Sequence, residues 1–136
     1  MRRALLAAAL AAALALAGCG ADYPDLLELR RSGELPGARL TLLVNDGGTV
    51  TCDGGEAHQL APKLLLEARD VVTELEEEAA EDLVLPAPPG ALLRFRLRTE
   101  HGSVTFSDAD AADRPALGRL VAFARTVAQD VCGRVR

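Results

Sequence analysis

The sequence predicts an α+β domain, in which an antiparallel sheet of about four to five strands carries two helices on one face. Two patterns support this class: short stretches in which apolar and polar residues alternate, and two long apolar stripes at helical spacing. Turn residues separate the alternating stretches as they do in hairpins. The chain has 136 residues, enough for one domain, and its 49% hydrophobic content argues against disorder.

The first 18 residues have the pattern of a targeting segment. Two arginines precede an uncharged run of alanine and leucine from Ala4 to Ala17. The run is too short to span a bilayer but fits the apolar region of a signal peptide. It ends at Leu16-Ala17-Gly18-Cys19, which resembles a bacterial lipobox. That resemblance implies that residues 1–18 are a lipoprotein signal peptide, with a diacylglyceryl thioether on Cys19 and cleavage before it, whereas a buried Ala/Leu helix is the alternative interpretation.

Cleavage would leave residues 19–25 as a lipidated tether and residues 26–136 as a single domain. The removed segment holds two arginines and no acidic residue, so the formal net charge would fall from −5 to −7. Two or more acyl chains anchor a protein stably, which predicts a place on the extracytoplasmic side of the cell membrane. An acidic chain with 3% aromatic residues lacks the basic footprint and stacking rings of a nucleic-acid binder.

Cys52 and Cys132 remain once Cys19 is assigned to lipid. An even pair of cysteines outside the cytoplasm predicts a disulfide, and two separate buried thiols are the alternative. The sequence has no Cys-x-x-Cys or His-x-x-x-His spacing that would supplement these thiols. We therefore predict no metal site and no cofactor.

The first half of the domain is predicted to be a strand followed by a hairpin. Leu26–Arg31 forms the strand, with Leu27 and Leu29 on one face, and Ser32–Gly37 forms a turn or loop because it contains two glycines and a proline. Alternation from Leu40 to Val44 predicts a second strand. The residues that follow it, Asn45-Asp46-Gly47-Gly48, favour a tight hairpin into a third strand, Thr49–Cys52.

A helix is predicted from near Pro62, because proline suits the first helical turn. Its apolar stripe extends to Ala79 at helical spacing. Acidic residues crowd the far end from Glu74 to Asp82, where they oppose the helix dipole, so we expect fraying and a solvated surface there. The proline-rich stretch Leu85–Gly90 is predicted to be an exposed connector.

The second half repeats the pattern of hairpin and helix. Leu93–Arg98 alternates strictly between apolar residues and arginines, and Ser103–Ser107 is its partner strand. Asp108–Arg114 is predicted to be a polar loop in which Asp113 caps the next helix. The last apolar stripe, from Leu117 to Val131, predicts that helix, which Gly133 can end.

Two short stretches of the chain are alike, Gly48–Cys52 and Gly102–Phe106. They indicate either a duplicated hairpin–helix unit or two units that reached the same pattern independently. Phe95, Phe106 and Phe123 are predicted to form the centre of the core, because the chain has few other large rings.

Catalytic motifs are absent from the sequence, which predicts a protein that is not an enzyme. His58 and His101 lie beside glycines in predicted loops, where a solvated histidine is the expected state. Ser103 and Asp108 near His101 resemble the composition of a triad, but a hairpin edge does not provide the preorganised base that a serine nucleophile needs.

Arg94, Arg96 and Arg98 form a row on the polar side of a predicted strand. Two interpretations stay open. The row either binds an anionic partner or lipid headgroups, or it is a solvated face that pairs with the acidic residues around Glu76.

Two stretches of the chain carry a resemblance to a known family. The first is Leu29-Arg30-Arg31-Ser32-Gly33 followed by Pro36-Gly37, and the second runs from Phe95-Arg96-Leu97 through Val104–Asp108 to Pro115 and Leu117–Val121. Both are similar to stretches of the emfourin family. The resemblance spans about Leu26 to Val131. It implies a small non-catalytic domain, an antiparallel sheet with two helices, and inhibition of a secreted thermolysin-like metallopeptidase.

A candidate partner-binding loop is inferred beside that resemblance, and it comprises Ser32, Gly33, Glu34, Leu35, Pro36 and Gly37. A second likeness is carried by Val50-Thr51-Cys52, Gly54-Gly55 and His58, which resemble a stretch of subtilisin-inhibitor domains. It implies that the Leu85–Gly90 stretch occupies the reactive-site position.

The functional prediction is a membrane-anchored lipoprotein with a non-catalytic protein-binding domain that inhibits a peptidase. The alternatives are an envelope-associated structural lipoprotein and a degenerate subtilisin-inhibitor-like domain.

Overall fold

The computed structural model describes residues 23–134. The predicted signal peptide, Cys19 and residues 19–22 of the tether lie outside that range. The described chain forms one six-stranded sheet and four helices. The strands are β1 (Asp25–Gly33), β2 (Leu40–Asn45), β3 (Thr49–Cys52), β4 (Ala57–Gln59), β5 (Leu93–Thr99) and β6 (Gly102–Ser107), and the helices are α1 (Pro62–Glu74), α2 (Glu76–Ala80), α3 (Asp108–Asp113) and α4 (Pro115–Asp130).

The sheet is antiparallel throughout and has the order β4-β3-β2-β1-β5-β6. The first strand in sequence therefore lies near the middle, between the two hairpins. Leu29 in β1 stands opposite Leu42 on one side and Leu97 on the other. All three side chains are buried, because residues in register across neighbouring strands point to the same face.

A single hydrophobic core joins that face of the sheet to the helices. It contains the inward residues of five strands together with the apolar stripes of α1 and α4. Phe95 and Phe106 lie opposite each other on β5 and β6 and stack with their ring centroids 5.0 Å apart. Phe123 of α4 is equally buried, so the prediction that these three rings form part of the core centre is confirmed.

The sheet is larger than predicted, because the stretch after Gly55 adds the strand β4. His58 belongs to this strand, opposite Val50 of β3, so its assignment to a loop is wrong. The strand has three residues, all exposed, at the sheet edge. Such a short polar segment carries no alternation that a sequence pattern can detect.

The first apolar stripe divides into two helices instead of forming one. Leu75 leaves the helical conformation between α1 and α2, with ψ at 11°. Leu75 and Ala79 nevertheless remain in the core. The chain bends at the start of the acidic run and continues as the five-residue helix α2, so the expected frayed end is replaced by a short second helix.

The stretch predicted to be a polar loop after β6 is the helix α3. Ser107 caps it, since its hydroxyl accepts from the Asp110 N–H while Asp110 accepts from the Ser107 N–H. This reciprocal capping box stabilises a helix start without any apolar stripe. Asp113 ends α3 and does not cap α4, which begins at Pro115 after Arg114.

The connector between the two halves covers the edge of β6. Val84 forms a parallel bridge to Thr105, and the Leu85 N–H donates to the Thr105 carbonyl at 2.8 Å. The residues that follow, from Pro86 to Gly90, are exposed as predicted. Covering an edge in this way removes unpaired backbone groups that would pair with another chain.

The predicted disulfide is present. Cys52 at the end of β3 is bonded to Cys132, just after α4, and the two Cα atoms lie 6.0 Å apart. The bond joins the last helix to the sheet across 80 residues of sequence. None of the helices within residues 23–134 is long and apolar enough to cross a membrane.

Candidate functional site

The candidate loop is divided between a strand and a turn. Ser32 and Gly33 continue β1 and lie opposite Arg94 and Leu93 of β5, so the predicted loop begins two residues too early. The turn itself is Glu34–Gly37, and the Ala38 N–H donates to the Leu35 carbonyl at 3.0 Å. The Leu35 side chain is 44% exposed, which is unusual for leucine in this domain. The turn therefore exposes an apolar side chain to solvent at one end of the two central strands, β1 and β2.

A cleft of about 450 Å³ lies beside this turn. It is bounded by the end of β1, the turn, the start of β5 and the C-terminal part of α4 with the residues that follow it. Three arginines and no acidic residue line it. The lining residues are Arg31, Leu35, Pro36, Gly37, Ala38, Leu93, Arg125, Ala128, Gln129 and Arg134.

Arg31 occupies an inward position of the sheet. Along β1 it follows Leu27 and Leu29 in alternation and stands opposite Leu40 and Phe95. The apolar face therefore ends in a guanidinium group at the wall of the cleft. Its Nε donates to the Ala38 carbonyl at 2.7 Å and its Nη2 donates to the Gly37 carbonyl at 3.2 Å. These bonds hold the end of the turn against β1.

Arg134 forms the opposite wall and is placed by the disulfide two residues earlier. Its guanidinium forms an ion pair with Asp53, next to Cys52, and donates to the Arg39 carbonyl at 3.2 Å. The Asp53 carboxylate also accepts the Thr41 N–H at 2.8 Å. The disulfide and the ion pair thus fix the chain after α4 to the β2–β3 side of the sheet.

The cleft concentrates positive charge in an acidic chain. Partial burial, followed by the nearby charges of Arg134 and Arg125, lowers the pKa of Arg31 from its ordinary value. The group stays protonated at neutral pH, because arginine titrates far above it. Within residues 23–134, neither Arg31 nor Arg125 forms an ion pair with a carboxylate. The site is therefore suited to an anionic group.

The residues that resemble a triad in sequence do not form one. His101 Nε2 lies 3.4 Å from Glu100 and 3.8 Å from Glu76. The Ser103 hydroxyl donates to Asp82, and the Asp108 carboxylate accepts from the Leu92 and Leu93 N–H groups at the start of β5. Each group has its own partner, so no serine–histidine pair exists here.

The arginine row lies on the side of the sheet that the core does not use. Arg96 stands opposite Arg30, while Glu28 pairs with Arg30 at 2.7 Å and with Arg98 at 3.9 Å. The expected pairing with the acidic residues around Glu76 is wrong. Those acids lie on α1 and α2, where Glu74 pairs with Arg119 of α4.

Sequence reasoning missed the arginines of the cleft. One signal was present, because the alternation of Leu27 and Leu29 already places Arg31 on the buried face. Nothing in the local pattern indicates that Arg125 and Arg134 join it. They reach the cleft only through the packing of α4 on the sheet and through the disulfide.

Comparison of the chain with family models, curated proteins and solved structures finds no match. The likeness to emfourin and subtilisin-inhibitor domains therefore stays a prediction. In the part of the chain that the structure describes, no three histidine, cysteine or acidic side chains come together as a metal site would need.

Proposed function

We propose that the chain is a lipoprotein anchored through Cys19 on the extracytoplasmic side of the membrane, and that its domain binds another protein without catalysing a reaction. The observation that carries the binding role is the exposed turn Glu34–Gly37 beside the arginine cleft. A solvent-exposed leucine next to a positively charged cleft offers both an apolar contact and a charge contact. Interfaces depend on such centres, where a few side chains supply most of the binding free energy.

The turn is preorganised for binding. It joins the two central strands β1 and β2, and the Arg31 guanidinium holds the carbonyls of Gly37 and Ala38. A loop that is already fixed loses little conformational entropy when a partner binds. This property supports an inhibitor, because an inhibitor must offer its contact surface in a defined conformation.

The cleft is better suited to binding than to catalysis. Its lining contains arginines, apolar residues and a glutamine, but no histidine, carboxylate, thiol or hydroxyl side chain. General acid–base and nucleophilic catalysis need one of those groups within reach of the substrate. The lining therefore supports a non-catalytic role.

A secreted peptidase is the partner that we propose, on the resemblance to emfourin-like domains. The contact surface is the turn Glu34–Gly37 in preference to the connector Leu85–Gly90. The disulfide favours this choice, because it joins β3 to the end of α4 beside the turn's cleft, whereas the connector lies at the β6 edge. A reactive-site loop at that edge has no disulfide beside it.

Inhibition is tested by titrating the chain carrying Cys19→Ser against two peptidases, a thermolysin-like metallopeptidase and a subtilisin-like serine peptidase. We expect stoichiometric loss of the metallopeptidase activity at micromolar concentration and no effect on the serine peptidase. Inhibition of the serine peptidase alone would favour the subtilisin-inhibitor alternative. Inhibition of neither would remove the peptidase as partner and leave an envelope-associated lipoprotein.

Lipid attachment is tested separately by labelling cells with radioactive palmitate. The wild-type chain should carry the label and fractionate with membranes, because two or more acyl chains anchor stably. The Cys19→Ser chain should carry none. A Cys52→Ser chain controls for the loss of a cysteine as such. Because it also loses the disulfide and with it stability, its label is compared per amount of chain recovered, and that ratio should match wild type.

A further inference from the structure

We propose that the arginine cleft binds a carboxylate of the partner protein, namely an aspartate or glutamate side chain that is flanked by an apolar residue. This inference rests on the proposed protein-binding function and specifies the chemistry that the site recognises. It follows from three features of the cleft: an arginine with open donors, uncompensated charge, and apolar walls.

The first feature is the Arg31 guanidinium. Two of its nitrogens donate to backbone carbonyls of the turn, and within residues 23–134 its Nη1 donates to no protein acceptor. A partly buried guanidinium loses hydration, and its remaining N–H groups need another acceptor to offset that loss. A carboxylate matches the fork of an arginine with two parallel hydrogen bonds.

The second feature is charge. Asp53 neutralises Arg134, while Arg31 and Arg125 have no carboxylate partner in the part of the chain that the structure describes. Like charges held close together repel, and the disulfide beside Arg134 prevents that wall from moving away. An anion entering the cleft would relieve this repulsion.

The negative end of the α4 dipole lies near the cleft and opposes an anion. That effect is reduced, because the N–H groups of Cys132 and Arg134 donate to the last-turn carbonyls of Val127 and Ala128. The two uncompensated charges of Arg31 and Arg125 therefore outweigh a partial negative charge.

The third feature is the apolar wall. Leu35, Pro36 and Leu93 face the cleft together with the arginines. A free inorganic anion would leave this surface wet, whereas an acidic side chain with an apolar neighbour in a peptide would cover it. The volume of about 450 Å³ is in the range of ordinary small-ligand pockets and can take such a segment.

The experiment is a nuclear magnetic resonance titration of the Cys19→Ser chain, labelled with ¹⁵N, in which the arginine Nε–H signals are followed. The probes are the peptide acetyl-Leu-Leu-Glu-Leu-amide, its glutamine twin, and sodium acetate. We expect the glutamate peptide to shift the Arg31 and Arg125 signals and to bind about tenfold more tightly than the glutamine twin. Acetate should bind more weakly than the glutamate peptide.

Three variants complete the design. Arg125→Gln should weaken binding of the glutamate peptide about tenfold. Arg119→Gln is the matched control on the same helix, since Arg119 pairs with Glu74 outside the cleft, and it should leave the affinity unchanged. A chain lengthened after Arg136 by Gly-Ser-Gly-Ser should bind as tightly as the unextended chain, because the site is open to an external carboxylate.

Equal affinity for the two peptides, an unchanged affinity in Arg125→Gln, or an acetate affinity equal to that of the glutamate peptide would overturn the inference. So would binding that appears only in the lengthened chain, because the cleft of the unextended chain would then not be open to an external carboxylate. If the glutamate peptide binds selectively but no peptidase is inhibited, the peptidase is rejected as partner and the cleft remains a carboxylate-binding site. If a peptidase is inhibited and Arg125→Gln does not change the inhibition, the peptidase remains the partner and the cleft is rejected as the site that binds its carboxylate.

Discussion

At the scale of single residues, Gly102 has the least room for a side chain among the glycines of residues 23–134. It starts β6 with φ at +142°, and an added Cβ would lie 2.0 Å from the Ala79 carbonyl oxygen. A side chain at this position would collide with the Ala79 backbone, which is less able to shift than the end of a flexible side chain. Close packing of α2 against β6 therefore depends on this glycine.

We expect Gly102→Ala to lower the free energy of unfolding by more than about 3 kcal/mol, since backbone strain and overpacking add. Gly54→Ala is the matched control, because Gly54 also has positive φ, at +73°, but no atom within 4 Å of the added Cβ. It should cost about 1–2 kcal/mol, because a residue with a side chain is disfavoured in the left-handed region. Urea unfolding of both variants measures the two losses in free energy of unfolding. Equal losses would contradict the prediction, because the close contact with the Ala79 carbonyl would then add nothing.

At the scale of elements, the capping box decides the start of α3. Hydrogen bonds from the Ser107 N–H and hydroxyl lower the pKa of the Asp110 carboxyl from its ordinary value, despite some desolvation, and nearby Arg94 and Arg114 add to the effect. A carboxyl with a lowered folded-state pKa stabilises the fold above its unfolded-state pKa. That contribution is lost as the pH falls through the folded-state value.

Asp110→Asn should therefore destabilise the domain by about 0.3–1 kcal/mol at pH 7, because it removes a negative charge from the first turn of α3. The difference from wild type should shrink as the pH falls below about 4, the ordinary pKa of an aspartate in the unfolded chain, and through the lower folded-state pKa of Asp110. Asp113→Asn, in the same helix but outside the capping box, is the control and should show no such loss. Urea unfolding at pH 7 and pH 3 tests this, and a difference that stays constant with pH would contradict it.

The elements also show where sequence reasoning succeeds. Alternation placed β1, β2, β5 and β6, and helical spacing placed α1 and α4, because a buried face imposes its period on the sequence. Both missed elements lack such a face: β4 is exposed, and α3 has no buried residue. Ser107 and Asp110 carried a detectable capping signal for α3, whereas Ala57–Gln59 carried none.

The candidate site was only partly predictable for a related reason. The turn could be identified from its glycines and proline, since those residues act locally. The cleft could not, because Arg31, Arg125 and Arg134 are far apart in sequence and meet only after α4 packs on the sheet. Long-range assembly of this kind is invisible to any pattern within one segment.

At the scale of the whole molecule, the disulfide between Cys52 and Cys132 connects the last helix to the sheet. Replacing both cysteines by serine should lower the free energy of unfolding by about 3–5 kcal/mol, because the bond constrains a long loop in the unfolded chain. Guanidinium unfolding of the double variant measures this, and reduced wild type should unfold in the same way. A non-reduced mass equal to the reduced mass would show that the thiols are free.

The account as a whole makes the turn Glu34–Gly37 the contact surface of a peptidase-binding domain. The most direct test compares the inhibition constants of two variants of the Cys19→Ser chain against the thermolysin-like metallopeptidase. Leu35→Ser changes the exposed leucine of the turn. Leu66→Ser is the control, because it makes the same substitution at a leucine of α1 that is 57% exposed. The account predicts that Leu35→Ser weakens inhibition about tenfold or more while Leu66→Ser leaves it unchanged. Equal inhibition by both variants would contradict it.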